Sequence, residues 1–179
     1  LSKSTDGLSS GNGVAIFGAF SGVGKTTLVT NIAMSLVENG EKVILVSNEQ
    51  QIKYFRTMLL SYISAYVFGC FTLNRTKIKH FNFSDEEKKV FLKANKFIKE
   101  RYKDTIAFYS VSEFSVDKIM REAKKLILAE GFSTLIVETF KAESQEDSVK
   151  ELMANSVSLD KFGKEMNCKI LLPMQLMGS

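Results

Sequence analysis

The chain has 179 residues, of which 45% are hydrophobic and 25% are charged, a composition typical of a globular domain and unlike that of a disordered or fibrous chain. Its 24 lysines and arginines nearly balance its 20 acidic residues, so the overall charge does not by itself require a nucleic-acid partner. The sequence has no apolar stretch of about eighteen residues, which excludes a membrane-spanning helix.

The hydrophobic pattern alternates between short apolar runs and helical periods along the whole chain. The apolar runs predict strands at Val14–Phe17, Lys42–Ser47, Thr105–Tyr109, Thr134–Glu138 and Lys169–Met174. The helical periods predict helices at Thr26–Glu38, Ile52–Val67, Asp85–Tyr102, Val116–Glu130 and Val149–Met166. Alternating buried strands and helices predict an α/β fold, with a mostly parallel sheet flanked by helices on both faces.

The first predicted strand leads into a glycine-rich segment, Gly18–Thr27, which reads Gly-Ala-Phe-Ser-Gly-Val-Gly-Lys-Thr-Thr. A strand, a glycine-rich turn, Gly-Lys-Thr and a helix together are the context of a phosphate-binding P-loop. An ordinary glycine-rich turn that happens to precede a lysine explains this context less well. The predicted nucleotide-binding residues are Ala19, Ser21, Gly22, Val23, Gly24, Lys25, Thr26 and Thr27. Lys25 is expected to reach the β- and γ-phosphates of a nucleoside triphosphate, and the Thr26 hydroxyl to ligate Mg²⁺.

Polar residues stand at the ends of three predicted strands. Glu49 follows the second strand, Glu138 ends the fourth and Gln175 follows the fifth. Because ligands of parallel sheets bind beyond the carboxyl ends of the strands, these residues are expected beside the P-loop. Phosphoryl transfer needs a carboxylate that holds the metal, a group that orients water and a group that senses the terminal phosphate.

The segment from Arg75 to Lys103 is basic, with ten lysines and arginines against four acidic residues. One interpretation is a surface that attracts a phosphate backbone. The favoured alternative is a solvated helix whose charges match its dipole. Ser84 and Glu87 form a capping box at its start, and basic residues lie near its carboxyl end. The two cysteines, Cys70 and Cys168, lack metal-site spacing and are predicted to be reduced, buried thiols in a cytoplasmic protein.

Taken in order, these motifs resemble the RecA-like ATPase core of the DnaB-type replicative helicases, including phage-encoded ones. Ala19–Thr27 resembles that family's Walker A loop, which also often begins with alanine, and Val46–Gln50 resembles its catalytic-glutamate motif. Phe114–Leu126 is similar to the helix before the Walker B strand. Val149–Leu159 and Phe162–Leu176 are similar to the helix, strand and glutamine that follow it. The similarity covers nearly the whole chain with the family's order and spacing.

The resemblance implies a role for each of five residues. Lys25 and Thr26 bind phosphate and Mg²⁺, Glu49 polarises the attacking water, and Gln175 couples the γ-phosphate to the surface that faces nucleic acid. Glu138 occupies the metal-binding Walker B position, where aspartate is usual. The family implies ATP as the nucleotide, hexameric rings that translocate on single-stranded DNA during replication, an arginine donated by the neighbouring subunit, and a primase or loader as partners.

Two departures from the family pattern qualify these expectations. The extra methylene of Glu138 requires the carboxylate to retract or to bind hydrated Mg²⁺ differently, because Mg²⁺ tolerates little geometric error. The chain begins without Met and ends at Ser179, so residues 1–179 are expected to form one domain of a longer protein, lacking its C-terminal strands and arginine finger. The isolated segment is therefore expected to hydrolyse ATP poorly or not at all.

Two other functions remain open from the sequence. One is a recombinase-like or clock-type ATPase of the RecA fold that does not unwind DNA. The other is a nucleotide-binding assembly module with little turnover, which the glutamate at position 138 suggests.

Overall fold

The computed structural model describes residues 11–20, 24–138, 140 and 148–176, with the backbone alone for residues 19, 20, 148, 175 and 176. The strands are β1 (Gly13–Phe20), β2 (Val43–Ser47), β3 (Ile106–Ser110), β4 (Thr134–Val137) and β5 (Lys169–Leu176). The helices are α1 (Lys25–Glu38), α2 (Glu49–Tyr66), α3 (Arg75–His80), α4 (Asp85–Tyr102), α5 (Val116–Glu130) and α6 (Ser148–Glu165).

The five strands form one sheet in the order β1-β5-β4-β2-β3, and every neighbouring pair is parallel. Their carboxyl ends therefore meet at a single edge. The predicted α/β class with a parallel sheet is confirmed.

Helices pack on both faces of the sheet. Because side chains alternate between the two faces along a strand, each strand contributes to both cores. In β2, Val43 and Leu45 pack into one core with residues of α1, α2 and α4. Ile44 and Val46 pack into the other core with residues of α5 and α6. This double burial explains why β2 reads as an uninterrupted apolar run.

The close approach of α6 to β1 depends on a glycine. A Cβ atom at Gly163 would lie 2.8 Å from the carbonyl oxygen of Cys168 and 3.0 Å from Cα of Gly13. The helix can therefore lie against the strand that leads into the P-loop only because this position has no side chain. Asp160 of the same helix accepts a hydrogen bond from the backbone N–H of Val14 at 3.1 Å.

Most predicted boundaries hold to within one residue, and both ends of α4 and of α5 are matched. The strands β1 and β5 end three and two residues later than predicted. The capping box of Ser84 and Glu87 is confirmed, and Ser115 caps α5 as expected. The short helix α3 was not predicted, and α2 begins at Glu49, three residues before the predicted Ile52.

The burial predicted for both cysteines is wrong for Cys70. Cys168 is buried, and burial raises the pKa of its thiol to about 12. Cys70 is partly exposed, because it lies in the turn after α2. Within the described ranges, no helix has the length and apolarity that crossing a membrane requires.

Candidate functional site

The start of α1 has an open N-terminus at the carboxyl edge of the sheet. Its N-cap, Gly24, has φ 79° and ψ 35°, a left-handed conformation that favours glycine. It makes no side-chain capping bond, and the first turn of α1 has no acidic residue. The helices α2, α3, α4 and α5, in contrast, are capped by the side chains of Asn48, Asn74, Ser84 and Ser115. Free N–H groups and the positive end of the helix dipole suit an anion here.

Thr26, Ser47 and Glu138 meet beside this N-terminus. Thr26 Oγ1 donates a hydrogen bond to Glu138 Oε1 at 2.8 Å, and Ser47 Oγ donates to Glu138 Oε2 at 3.0 Å. Glu138 is only 2% exposed. Each oxygen of a buried carboxylate thus has a separate hydroxyl donor, which fixes the orientation of the carboxylate plane.

Lys25 and Gln51 also contact this group of residues. The Lys25 ammonium donates to the backbone carbonyl oxygen of Glu138 at 3.2 Å. Gln51 Oε1 lies 3.4 Å from Thr26 Oγ1. Because the Thr26 hydroxyl carries one proton and lies closer to Glu138, the contact with Gln51 is the weaker of the two.

Glu49 is paired with a lysine of its own helix. It lies in the first turn of α2, where Lys53 Nζ contacts its Oε1 at 2.5 Å, and its side chain is 73% exposed. The hydrogen bond and charge of Lys53 lower the pKa of the Glu49 carboxyl. Among the described contacts, none joins Glu49 to Thr26 or Glu138.

Several predicted site residues are described only in part or not at all. Ser21, Gly22 and Val23 lie outside the described residues. Ala19 and Gln175 are register partners in the parallel pair of β1 and β5, so the backbone places Gln175 next to the P-loop strand. Their side chains are outside the description. Thr27 is exposed in the first turn of α1.

The sequence interpretation missed Ser47 and Gln51. A signal for Ser47 was present, because it is the only hydroxyl residue in the run Val-Ile-Leu-Val-Ser and stands at its carboxyl end. Gln51 lies in the first turn of α2 and had no comparable signal, because its contact with Thr26 depends on how α2 packs.

The described residues fit Mg²⁺. Hydroxyl and carboxylate oxygens are hard ligands, and Mg²⁺ sites commonly use one or two protein oxygens together with phosphate and water. The buried carboxylate of Glu138 has no ion-pair partner within 4.0 Å among the side chains that the structure describes. The described ranges contain no cluster of three His, Cys, Asp or Glu residues that could hold a metal ion. The described side chains of these types therefore do not form a complete metal site by themselves.

The comparisons with known proteins agree with this geometry. Residues 1–179 match the family model described as DnaB-like helicase C terminal domain. The chain is similar in structure to the ATPase domain of G40P, with a TM-score of 0.75, 19% identity, and coverage of 93% of this chain and 58% of that one. It is also similar to a DnaB-like replicative helicase described with its interactions with primase. For that structure the TM-score is 0.73 and the identity 20%, over 92% of this chain and 40% of that one.

The chain thus spans about half the length of these two structures. No curated protein matches it. The structural similarities confirm the expected RecA-like P-loop fold. Since the family model matches every residue, the chain belongs to the family of DnaB-like helicase C-terminal domains.

Proposed function

We propose that this chain is the ATPase core of a replicative DNA helicase, binding Mg²⁺–ATP and coupling its hydrolysis to translocation on single-stranded DNA. The observation that carries the proposal is the contact between Thr26 Oγ1 and Glu138 Oε1. It places a hydroxyl and a buried carboxylate side by side at the open N-terminus of α1. That pairing is the one a magnesium nucleotide needs.

The P-loop residues are assigned to nucleotide binding. The backbone N–H groups from Ala19 to Thr27 hold the phosphates, and Lys25 exchanges its bond to the Glu138 carbonyl for the β- and γ-phosphates. Thr26 and Glu138 would hold Mg²⁺, and the ion would supply positive charge to offset that of the phosphates. The low exposure of Glu138 supports this assignment, because a buried anion without a described ion pair is stabilised by a bound cation.

Glu49 is assigned to the attacking water and Gln175 to sensing the γ-phosphate. Glu49 can orient the attacking water only after its ion pair with Lys53 is broken. Both side chains are mostly exposed, so solvent screens the ion pair between them and nucleotide binding can readily displace it. Gln175 is supported by its register position beside Ala19.

Assembly and partners are inferred from the family. We assign the full protein to a hexameric ring in which a neighbouring subunit completes each active site with an arginine. Single-stranded DNA passes through that ring, and a primase or loader is its partner. The similar replicative helicase described with primase supports the last inference.

A second function, nucleotide binding with little turnover, is favoured by the pairing of Glu49 with Lys53. The two functions are separated by measuring ATP binding, DNA-stimulated ATP hydrolysis and strand displacement on the full-length protein that contains residues 1–179. A helicase core shows all three, and Lys25→Ala weakens the ATP binding and removes the hydrolysis and the strand displacement. Tight ATP binding without hydrolysis or strand displacement supports the second function and overturns the first.

A further inference from the structure

Ser47 and Glu138 are neighbours because of the register of β2 and β4. The parallel pairing runs from Val43 with Thr134 to Val46 with Val137, and the N–H of Glu138 donates to the carbonyl oxygen of Val46 at 2.9 Å. Ser47 and Glu138 are therefore the next pair along the two strands. Their side chains leave the sheet on the same face.

The environment of Ser47 leaves its hydroxyl little choice of partner. Ser47 is 0% exposed, and its hydroxyl donates to Glu138 Oε2 at 3.0 Å. A buried hydroxyl without a hydrogen bond costs free energy, and a bond to a charged acceptor is stronger than a neutral one. Ser47 is thus bound to Glu138 in preference to any uncharged acceptor.

The bond determines where the other carboxylate oxygen points. A glutamate carboxylate rotates about a broad terminal torsion, so one fixed oxygen restricts the position of the second. With Oε2 held by Ser47, Oε1 lies 2.8 Å from Thr26 Oγ1. Ser47 itself does not contact Thr26 in the described hydrogen bonds, so its influence passes through the carboxylate.

We propose that Ser47 is the positioning residue of the metal site, holding the long Glu138 side chain retracted with one oxygen directed at the place where Thr26 binds Mg²⁺. This inference rests on the proposed function of Thr26 and Glu138. It assigns to β2 a part in metal binding that is separate from the water-orienting role of Glu49. Residues that orient metal ligands commonly change metal affinity by about 10- to 100-fold when removed.

The test compares Ser47→Ala with Ser64→Ala in the full chain. Ser64 is also 0% exposed, but its hydroxyl has no hydrogen-bond partner among the described residues, so its removal is a matched control. Binding of a fluorescent ATP analogue is followed by anisotropy while Mg²⁺ is titrated, and again with EDTA. Thermal denaturation checks that each variant is folded.

Ser47→Ala is expected to raise the Mg²⁺ concentration at half-maximal binding by about 10-fold, without changing the binding measured in EDTA. Ser64→Ala is expected to behave like the wild type. In a Glu138→Gln background, Ser47→Ala is expected to add no further change, because its effect passes through that carboxylate.

Two results overturn the proposal in distinguishable ways. If Ser47→Ala has the Mg²⁺ dependence of the wild type while Lys25→Ala abolishes binding, Ser47 has no positioning role and the proposed function stands. If the wild type does not bind the nucleotide at any Mg²⁺ concentration, the proposed function fails, and the role of Ser47 fails with it.

Discussion

Thr26 Oγ1 donates to Glu138 Oε1 at 2.8 Å, although 112 residues separate the two in the sequence. The contact joins the first turn of α1 to the end of β4, and Ser47 at the end of β2 holds the opposite oxygen. Three elements therefore meet at one buried carboxylate. The residues assigned to Mg²⁺ therefore come together only when the sheet and α1 are both in place.

Replacing the buried carboxylate of Glu138 is expected to stabilise the folded protein and to weaken Mg²⁺-dependent ATP binding. Glu138→Gln removes a charge that has two hydroxyl donors but no ion pair among the described side chains. Without Mg²⁺, we expect the melting temperature to rise by about 2–4 °C, equivalent to about 1 kcal/mol. The Mg²⁺ concentration at half-maximal ATP binding is expected to rise by at least about 10-fold.

Differential scanning fluorimetry in EDTA and a Mg²⁺ titration of ATP binding measure the two effects. Glu138→Asp is the matched comparison, because it keeps the charge and removes one methylene. A fall in the melting temperature of Glu138→Gln, with unchanged Mg²⁺ dependence, would show that the carboxylate is structural.

Replacing Glu49 is expected to slow ATP hydrolysis far more than replacing Lys53. Glu49→Gln removes the group assigned to the water, and we expect the hydrolysis rate to fall by at least about 100-fold, as for the loss of a general base. Lys53→Ala only releases an exposed ion pair that solvent already screens, so the rate is expected to stay within about fivefold of the wild-type rate.

A single-turnover ATPase assay on the full-length protein that contains residues 1–179 separates chemistry from product release and so measures these effects directly. Nucleotide affinity is the control and is expected to stay unchanged in both variants. Equal rates in the wild type and Glu49→Gln would remove Glu49 from the mechanism.

Glu87 is expected to make the stability of α4 depend on pH. Hydrogen bonds from Lys77 Nζ and from the backbone N–H of Ser84 lower the pKa of its carboxyl from 4.5 to about 2. Because the pKa is lower in the folded state, the ionised carboxylate stabilises the protein above pH 4.5. That stabilisation is lost as the pH falls from 4.5 towards 2.

Urea denaturation at several pH values measures this loss. The difference in unfolding free energy between the wild type and Glu87→Gln is expected to shrink as the pH falls through this range. Glu86→Gln is the control, because Glu86 lies in the same first turn but is exposed. Ser84→Ala is expected to cost about 1 kcal/mol at neutral pH through loss of the N-cap. A pH-independent difference for Glu87→Gln would contradict the assignment.

The elements that sequence reasoning predicts well are those with a strong local signal. The apolar run of β2 and the capping box at the start of α4 depend on neighbouring residues alone, and both are present. The P-loop helix and the strand that leads to Glu138 follow from the same kind of signal, because both are recognised from neighbouring residues.

The features that were missed depend on packing or on short segments. The helix α3 has six residues, too few to show a hydrophobic period, and only its cap Asn74 marks its start. The pairing of Glu49 with Lys53 depends on a choice of rotamer in an exposed turn. The contact of Ser47 with Glu138 requires the strand order, which places β2 beside β4 although β3 lies between them in the chain.

Calorimetric titration of the purified full chain with ATP, with and without Mg²⁺, tests the nucleotide site most directly. The wild type is expected to bind ATP more tightly with Mg²⁺, and Lys25→Ala to weaken that binding by at least about 30-fold, or about 2 kcal/mol. Lys161→Ala, which alters an exposed lysine of α6, is expected to bind like the wild type. Equal affinities of the wild type and Lys25→Ala, or no response of either to Mg²⁺, would contradict the assignment of a magnesium nucleotide site at Thr26 and Glu138.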